Sequence, residues 1–451
     1  MDFTAEFNRN LDPYVEEWKE FLRFQSISVD PKHNADCRAC AEWLTAHLKK
    51  IGFNSQLLET SSKPAVFAER KGDPEKPSIL LYGHYDVQPV DPLEEWNHPP
   101  FEPILKNGRI QARGASDDKG QLFYVLKALE TLIADNAPMP TVKMILDGEE
   151  ECGSKGLSHA LNEWQEMLQA DILMVADTGT VASRAPTIVM GLRGIAGLTA
   201  VLSGPAHDLH SGTHGGIAPN PAAGIAALAA TLHNSDGSVA VEGFYDSIES
   251  PSELERQLAT IEPFDSTAYE SRTGVPPCAG EKKFTPQERA GFRPTIEING
   301  IHSGYGGVGG KTIIPATALL KLSARLVPGQ DPDKCLSAII AHLEKHTPEG
   351  LRLKIIEKES AGPGIRLNVQ SPIAAKAKKI LDEIMNMETV FLWEGASIPI
   401  VANLSEISGA EPLLVGFGHD EDKIHAPNES FSIEQFRHGY LYVASILGDS
   451  K

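Results

Sequence analysis

Apolar positions recur at helical spacing twice within residues 1–52. Tyr14, Val15, Trp18, Phe21 and Leu22 fall three and four residues apart and predict one helix. A second is predicted from about Ala35 to Lys50, ending at Gly52, which suits a C-cap. The pattern then shortens. PAVFAER and PSILLYGHYDV read as strands, and the second is almost continuously apolar, as a strand buried on both faces must be. A helix follows DDKG, from about Gly120 to Ala134. TVKMILDGEEE reads as a strand running into a loop, and DILMVADTG as a strand that ends on an acid. Strands alternating with helices predict an α/β sheet with helices on both faces.

The style changes near residue 194. GIAGLTAVLSG reads as a strand and PNPAAGIAALAATLHN as an Ala-rich helix. A Pro- and charge-rich stretch from about 250 to 293 predicts an irregular helical insertion. TIEINGI and KTIIPATALLKLSARLVPG read as further strands. DPDKCLSAIIAHLEKHT is an amphipathic helix capped by Asp331 or Asp333, with Pro332 in its first turn. From about 365 the first style returns, with helix SPIAAKAKKILDEIM, strand EPLLVGFG and final helix SIEQFRHGYLYVASIL. The expected organisation is therefore an α/β domain, 1–192 and 364–451, into which a smaller α+β domain, 193–363, is inserted.

Composition narrows the partners. Lys plus Arg number 41 and Asp plus Glu 61, a formal net charge of −20. Such a field repels nucleic-acid phosphates and anionic membranes, and its ordinary role is solubility. The N-terminal segment is acidic and amphipathic rather than a basic-then-apolar leader, and no apolar run reaches the roughly 18 residues needed to cross a bilayer. Five cysteines in a chain of this length make no disulfide framework, so a reducing cytoplasm is the expected compartment. Cys37 and Cys40 form a C-x-x-C, but within an Ala-rich helical stretch and without a second pair, which predicts helix packing rather than redox or zinc chemistry.

The candidate chemistry lies at strand ends, where ligands of open α/β sheets gather. One strand ends in Gly83-His84-Tyr85-Asp86, with His84 and Asp86 two apart and so on one face. A carboxylate placed there can orient the imidazole. A second runs into Asp147-Gly148-Glu149-Glu150-Glu151, whose adjacent glutamates repel unless cations compensate. A third leads to Ala176-Asp177. ARGASDDKG places Asp117 and Asp118 just before a helix. Each piece has an ordinary explanation: a structural histidine, an N-cap pair, a solvated acidic loop. Their coincidence at successive strands of one sheet favours a metal site.

YGHYDVQP, ARGASDDKG, GEEECGSKGL, ADTG, GLRG, DLHSGTHGG, KTIIP, RLVPG, EGASIP and IHAPNES, in this order over nearly the whole chain, resemble the M20 metallopeptidase family. The likeness is to its dipeptidase branch, the carnosinases and cytosolic non-specific dipeptidases with their bacterial relatives. It implies a zinc-peptidase catalytic domain, a mixed sheet flanked by helices, carrying an inserted lid and dimerisation domain. It implies two divalent ions, zinc by family habit, with manganese or cobalt equally suited to oxygen and imidazole donors. His84 and Asp177 would bind one ion, Glu151 and His425 the other, and Asp117 both, with a cis peptide at Asp117–Asp118.

The same resemblance makes Glu150 the general base for a water bridging the two ions, rather than a further ligand, and makes Asp86 the residue that steadies His84. His210 would reach the active site of a second subunit and steady the oxyanion. Thr312, Arg325 and Ser397, with the Gly395 backbone beside it, would hold the substrate's carboxylate end, Arg in bidentate fashion. His207 and His214 read as bystanders. Trp393 stands where relatives often carry Arg, so the pocket beside EGASIP is expected to differ from that of the carnosinases. Asp at position 177 favours a dipeptidase, since several carboxypeptidase and deacylase members carry Glu there. The expected activity is hydrolysis of dipeptides or short peptides by a cytoplasmic homodimer, with N-acyl-amino-acid deacylation as the alternative.

Overall fold

A computed structural model describes residues 1–448. The larger sheet has nine strands. Along it lie Asn54–Leu58, Ala65–Arg70, Val142–Asp147, Ile79–His84, Ile172–Val175, Glu411–Leu414, Thr187–Leu192 and Ile365–Arg366, and Val390–Glu394 pairs alongside Thr187–Leu192. The four strands from Val142–Asp147 to Glu411–Leu414 run parallel to one another, whereas both ends contain antiparallel pairs, so the sheet is mixed. All six residues of Ile79–His84 are buried, which accounts for its unbroken apolar run.

The N-terminal helix spans Phe3–Leu22 and buries Tyr14, Val15, Trp18, Phe21 and Leu22, the positions its spacing marked. Trp18 stacks on Phe436 of the last helix, Ile433–Leu447, with ring centroids 5.0 Å apart. That helix starts at a capping box between Ser432 and Gln435. The second helix, Asn34–Lys50, buries Cys37 and Cys40 completely. Burial pushes their thiols up, Cys37 to about 12 and Cys40 to about 11, so both behave as inert core residues.

A second, antiparallel sheet runs Thr295–Ser303, Thr317–Leu326, Gly194–Ser203, Arg352–Gly362. Helices Pro221–Ala230 and Pro332–Lys345 pack against it around a separate core that includes Leu202, Leu228, Leu320 and Leu343. Asp331 caps the second of these helices through the amides of Asp333 and Lys334.

The insertion is helical, as its composition predicts, in short pieces: Glu253–Ala259, Ser266–Thr273 and Pro286–Gly291. Its packing is less expected. Phe292 belongs to the core of the larger sheet, and Glu255 pairs with Arg366. Although this stretch interrupts the strands of the smaller sheet in sequence, it leans on the larger one.

Candidate metal centre

The strand Ile79–His84 delivers His84, fully buried, to the end of the larger sheet, and Asp177 follows two residues after the neighbouring strand Ile172–Val175. Asp117 and Asp118 precede the helix Lys119–Ala134, joined by a cis peptide. Asp118 does not cap that helix; its Oδ2 accepts the His84 amide at 3.0 Å. His425 comes from a loop between strands, in a left-handed backbone conformation with φ 61°.

Asp117 joins two groups. Its Oδ1 lies 3.1 Å from His84 Nε2, and its Oδ2 lies 2.9 Å from His425 Nε2. Asp177 Oδ2 is 3.5 Å from His84 Nε2, and Glu151 Oε2 is 3.3 Å from His425 Nε2. The donor atoms of His84, Asp117 and Asp177 all lie within 4.8 Å of one another, as do those of Asp117, Glu151 and His425. Glu150 belongs to neither group. A third grouping among the described residues, Glu17, His47 and Glu130, already has its cation: Lys127 bridges the two glutamates.

Asp86, also fully buried, organises one side of the site. Its Oδ1 lies 3.3 Å from His84 Nδ1 and accepts the Glu150 amide at 3.1 Å, while its Oδ2 accepts the Glu151 amide at 3.1 Å. One carboxylate thus orients an imidazole and starts the 3-10 turn Glu150–Cys152, of whose two glutamates Glu151 joins a ligand group and Glu150 does not.

The electrostatics show what the cluster lacks. Among the described residues no Lys or Arg pairs with Asp117, Glu150, Glu151 or Asp177. Burial, with neighbouring acids, raises the Glu150 carboxyl well above its usual range, pushes Glu151 up to about 7 and raises Asp177. Asp117 is lowered, because hydrogen bonds to His425 and His84 outweigh its burial. Hydrogen bonds to Asp117 and Glu151 raise His425 to about 10. Four shielded carboxylates and two imidazoles, with no thiolate and no ammonium, fit divalent cations by charge and by donor type.

The proposed substrate contacts separate into two places. Arg325 Nη1 donates to Ser397 Oγ at 2.9 Å, so these residues meet across the two sheets. His210 and Thr312 lie together elsewhere: His210 faces Ile313 in a two-stranded pairing, and the Ser211 amide bonds the Thr312 carbonyl at 3.0 Å. Both side chains are exposed. His207 is likewise exposed, and His214 sits in the short helix Ser211–His214.

Trp393, which stands where relatives often carry Arg, is a packed residue. It does not line an open pocket but is 6% exposed, edge-on to Phe292 at 5.0 Å. A Cβ on Gly191 would come within 2.7 Å of its ring, and one on Gly291 within 2.4 Å of its own Cβ. The two glycines make room for the indole, which ties the insertion to the larger sheet.

Sequence reasoning missed Glu429. It is 1% exposed and accepts four bonds: Arg113 Nη1 at 2.9 Å, the Gly114 and Ser116 amides at 2.8 Å, and the Asp117 amide at 3.1 Å. It holds the loop that carries Asp117 from a position four residues after His425. A lone acid in IHAPNES was its only signal. Gln88, in YGHYDVQP, donates to Glu151 Oε2 at 2.6 Å and is a neutral amide whose spacing gives no signal of that contact.

The model for peptidase family M20/M25/M40 matches residues 80–449. A Cys-Gly metallodipeptidase of Saccharomyces cerevisiae is 28% identical over 449 residues, covering 94% of this chain and 93% of that protein. A Beta-Ala-His dipeptidase of Rattus norvegicus is 27% identical over 462 residues, covering 98% and 93%. Among solved structures, an M20 family metallo-carboxypeptidase from Sulfolobus solfataricus matches with a TM-score of 0.86 at 30% identity, over 96% of this chain and 98% of that one.

Proposed function

The chain belongs to peptidase family M20/M25/M40 and is a hydrolase, and from that premise we propose that it cleaves the amide bond of dipeptides or short peptides at a centre of two divalent metal ions. The observation that carries this reading is the Asp117 carboxylate, which faces an imidazole on each side. His84 and Asp177 would hold one ion, Glu151 and His425 the other, and Asp117 both. Zinc is the favoured ion, and manganese or cobalt would suit the same donors. Bound there, such ions supply Lewis acidity and make water a competent nucleophile near neutral pH.

The residues of the chain do the rest. Glu150, outside both ligand groups, takes a proton as water adds to the amide carbon. It returns that proton to the nitrogen as the C–N bond breaks, leaving a carboxylate and an amine. Asp86 keeps His84 and the 150–151 backbone in register. Arg325 and Ser397 receive the substrate's carboxylate end.

In this reading residues 1–192 and 364–451 form the catalytic domain, and 193–363 form a lid that closes over substrate and supports a homodimer. His210 and Thr312, exposed and together on one chain, would then serve the partner's site, His210 steadying the oxyanion. No helix of the described residues is long and apolar enough to cross a membrane. The charge of −20 disfavours nucleic acid and anionic lipid, and a cytoplasmic enzyme acting on small peptides fits both observations.

The 30% identity to a metallo-carboxypeptidase favours a second reading, removal of C-terminal residues from longer peptides. A panel of dipeptides, longer peptides and N-acyl amino acids, assayed with Zn²⁺ or Mn²⁺, separates the readings. Cleavage confined to N-acetyl or N-succinyl amino acids would establish the deacylase instead.

A further inference from the structure

Two arginines converge on one turn. Arg193 joins the strand Thr187–Leu192 of the larger sheet to Gly194–Ser203 of the smaller one. Its Nε donates to the Gly395 carbonyl at 2.9 Å, and its backbone amide to the Ala396 carbonyl at 3.2 Å. Arg325, opposite Ile195 in the smaller sheet, reaches Ser397 in the same turn. The Arg193 guanidinium lies across the turn where a side chain at 395 would stand: a Cβ there would meet its Nη2 at 3.2 Å.

Both guanidiniums are partly buried, yet among the described residues neither has a carboxylate at ion-pair distance. Other shielded arginines of this chain do: Arg113 has Glu429, Arg293 has Glu281 and Arg366 has Glu255. Glu394, the adjacent acid, spends its Oε1 on the Gly395 and Ala396 amides, at 2.9 and 3.3 Å. Glu394, and after it Glu297, offset the Arg193 charge only from beyond ion-pair distance. Burial and then the Arg325 charge push Arg193 down to about 10, as expected of two like charges sharing a shielded corner. One carboxylate would leave one of these cations uncompensated, whereas two would neutralise both. A local pair of cations also offsets the repulsion that a chain of charge −20 exerts on a dianion.

We propose that Arg193 and Arg325 form a two-cation seat for a C-terminal residue bearing two carboxylates, so that the preferred peptides end in aspartate or glutamate. This rests on the peptidase reading and on Arg325 as a carboxylate contact, and it adds Arg193 as the residue that sets specificity.

The test compares alanyl-glutamate with alanyl-glutamine on the metal-loaded enzyme and on Arg193→Gln and Arg193→Lys. The wild type should favour the glutamate peptide by about tenfold or more in kcat/KM, chiefly through KM. Arg193→Gln should bring the glutamate peptide to the level of the glutamine peptide, so that the ratio of the two kcat/KM values falls to about one. Arg193→Lys should keep part of the preference. Equal wild-type rates, or a parallel loss on both peptides in Arg193→Gln and Arg193→Lys, would overturn the proposal. Calorimetry with glutarate and butyrate separates it from the peptidase reading. Glutarate binding that Arg193→Gln abolishes supports the seat even if no peptide is cleaved, and failure of the wild type to bind glutarate more tightly than butyrate removes it.

Discussion

Asp117 Oδ2 lies 2.9 Å from His425 Nε2, although 308 positions separate the two residues. The contact brings a loop before the helix Lys119–Ala134 against a loop near the end of the chain. Glu429 secures it from beneath, accepting the Asp117 amide while sharing a segment with His425. The other oxygen of Asp117 faces His84, so one side chain sets the spacing of both ligand groups.

Glu150 stands apart from those groups, which gives its role a sharp test. Glu150→Gln should keep the wild-type metal content by elemental analysis while kcat falls by about 10²–10⁴-fold. Lost metal, or turnover near wild type, would remove Glu150 as the base.

Glu429→Ala leaves the Arg113 guanidinium, 1% exposed, without its acid, and frees three amides of the loop. Breaking a buried pair from one side costs about 3–5 kcal/mol. Denaturant unfolding should show a loss of that size, and metal affinity should weaken by about 10–100-fold, as for residues that orient ligands.

Trp393→Ala should destabilise by about 3–5 kcal/mol, because it empties a site closed by Phe292, Gly191 and Gly291. Since the indole packs inside rather than facing substrate, KM across a dipeptide panel should stay within about twofold for Trp393→Phe. A changed substrate profile in that variant would return Trp393 to the pocket.

Acid sensitivity should arise partly from His47, far from the metal ligands in sequence and stacked on Trp43. Burial, then the Lys127 charge, lowers its pKa from the ordinary 6.5 to about 4. Above 6.5 the ring is neutral in both folded and unfolded chains and costs nothing. As pH falls below 6.5 the unfolded chain takes up a proton that the folded one refuses, so stability is lost down to about 4, by about 3 kcal/mol in all. His47→Phe should flatten the pH dependence of the unfolding midpoint over that window.

Much of the fold is legible in the apolar pattern. The unbroken run at 79–84 announces a strand buried on both faces, and the helical spacing of Tyr14 to Leu22 announces the face that packs on the last helix. Strand ends likewise point to His84 and Asp177. Spacing cannot tell Glu150 from Glu151, because the turn that separates them is started by Asp86 from another strand end. Nor can it find His425, whose loop has no period and a left-handed backbone; only the family likeness supplied it. The burial of Trp393 is not legible in sequence, because the glycines that admit its ring lie at 191 and 291. The insertion at 250–293 looks like surface in composition, and its attachment to the larger sheet depends on single residues such as Phe292 and Glu255.

The central claim is a pair of ions sharing Asp117. Zinc titration of the metal-free protein against a competing chromophoric chelator, with wild type and Asp117→Ala side by side, tests it most directly. Two tight equivalents per chain are predicted for the wild type, with tight binding lost at both positions in the variant. No tight binding by the wild type, or the same two-equivalent curve from Asp117→Ala, would contradict it.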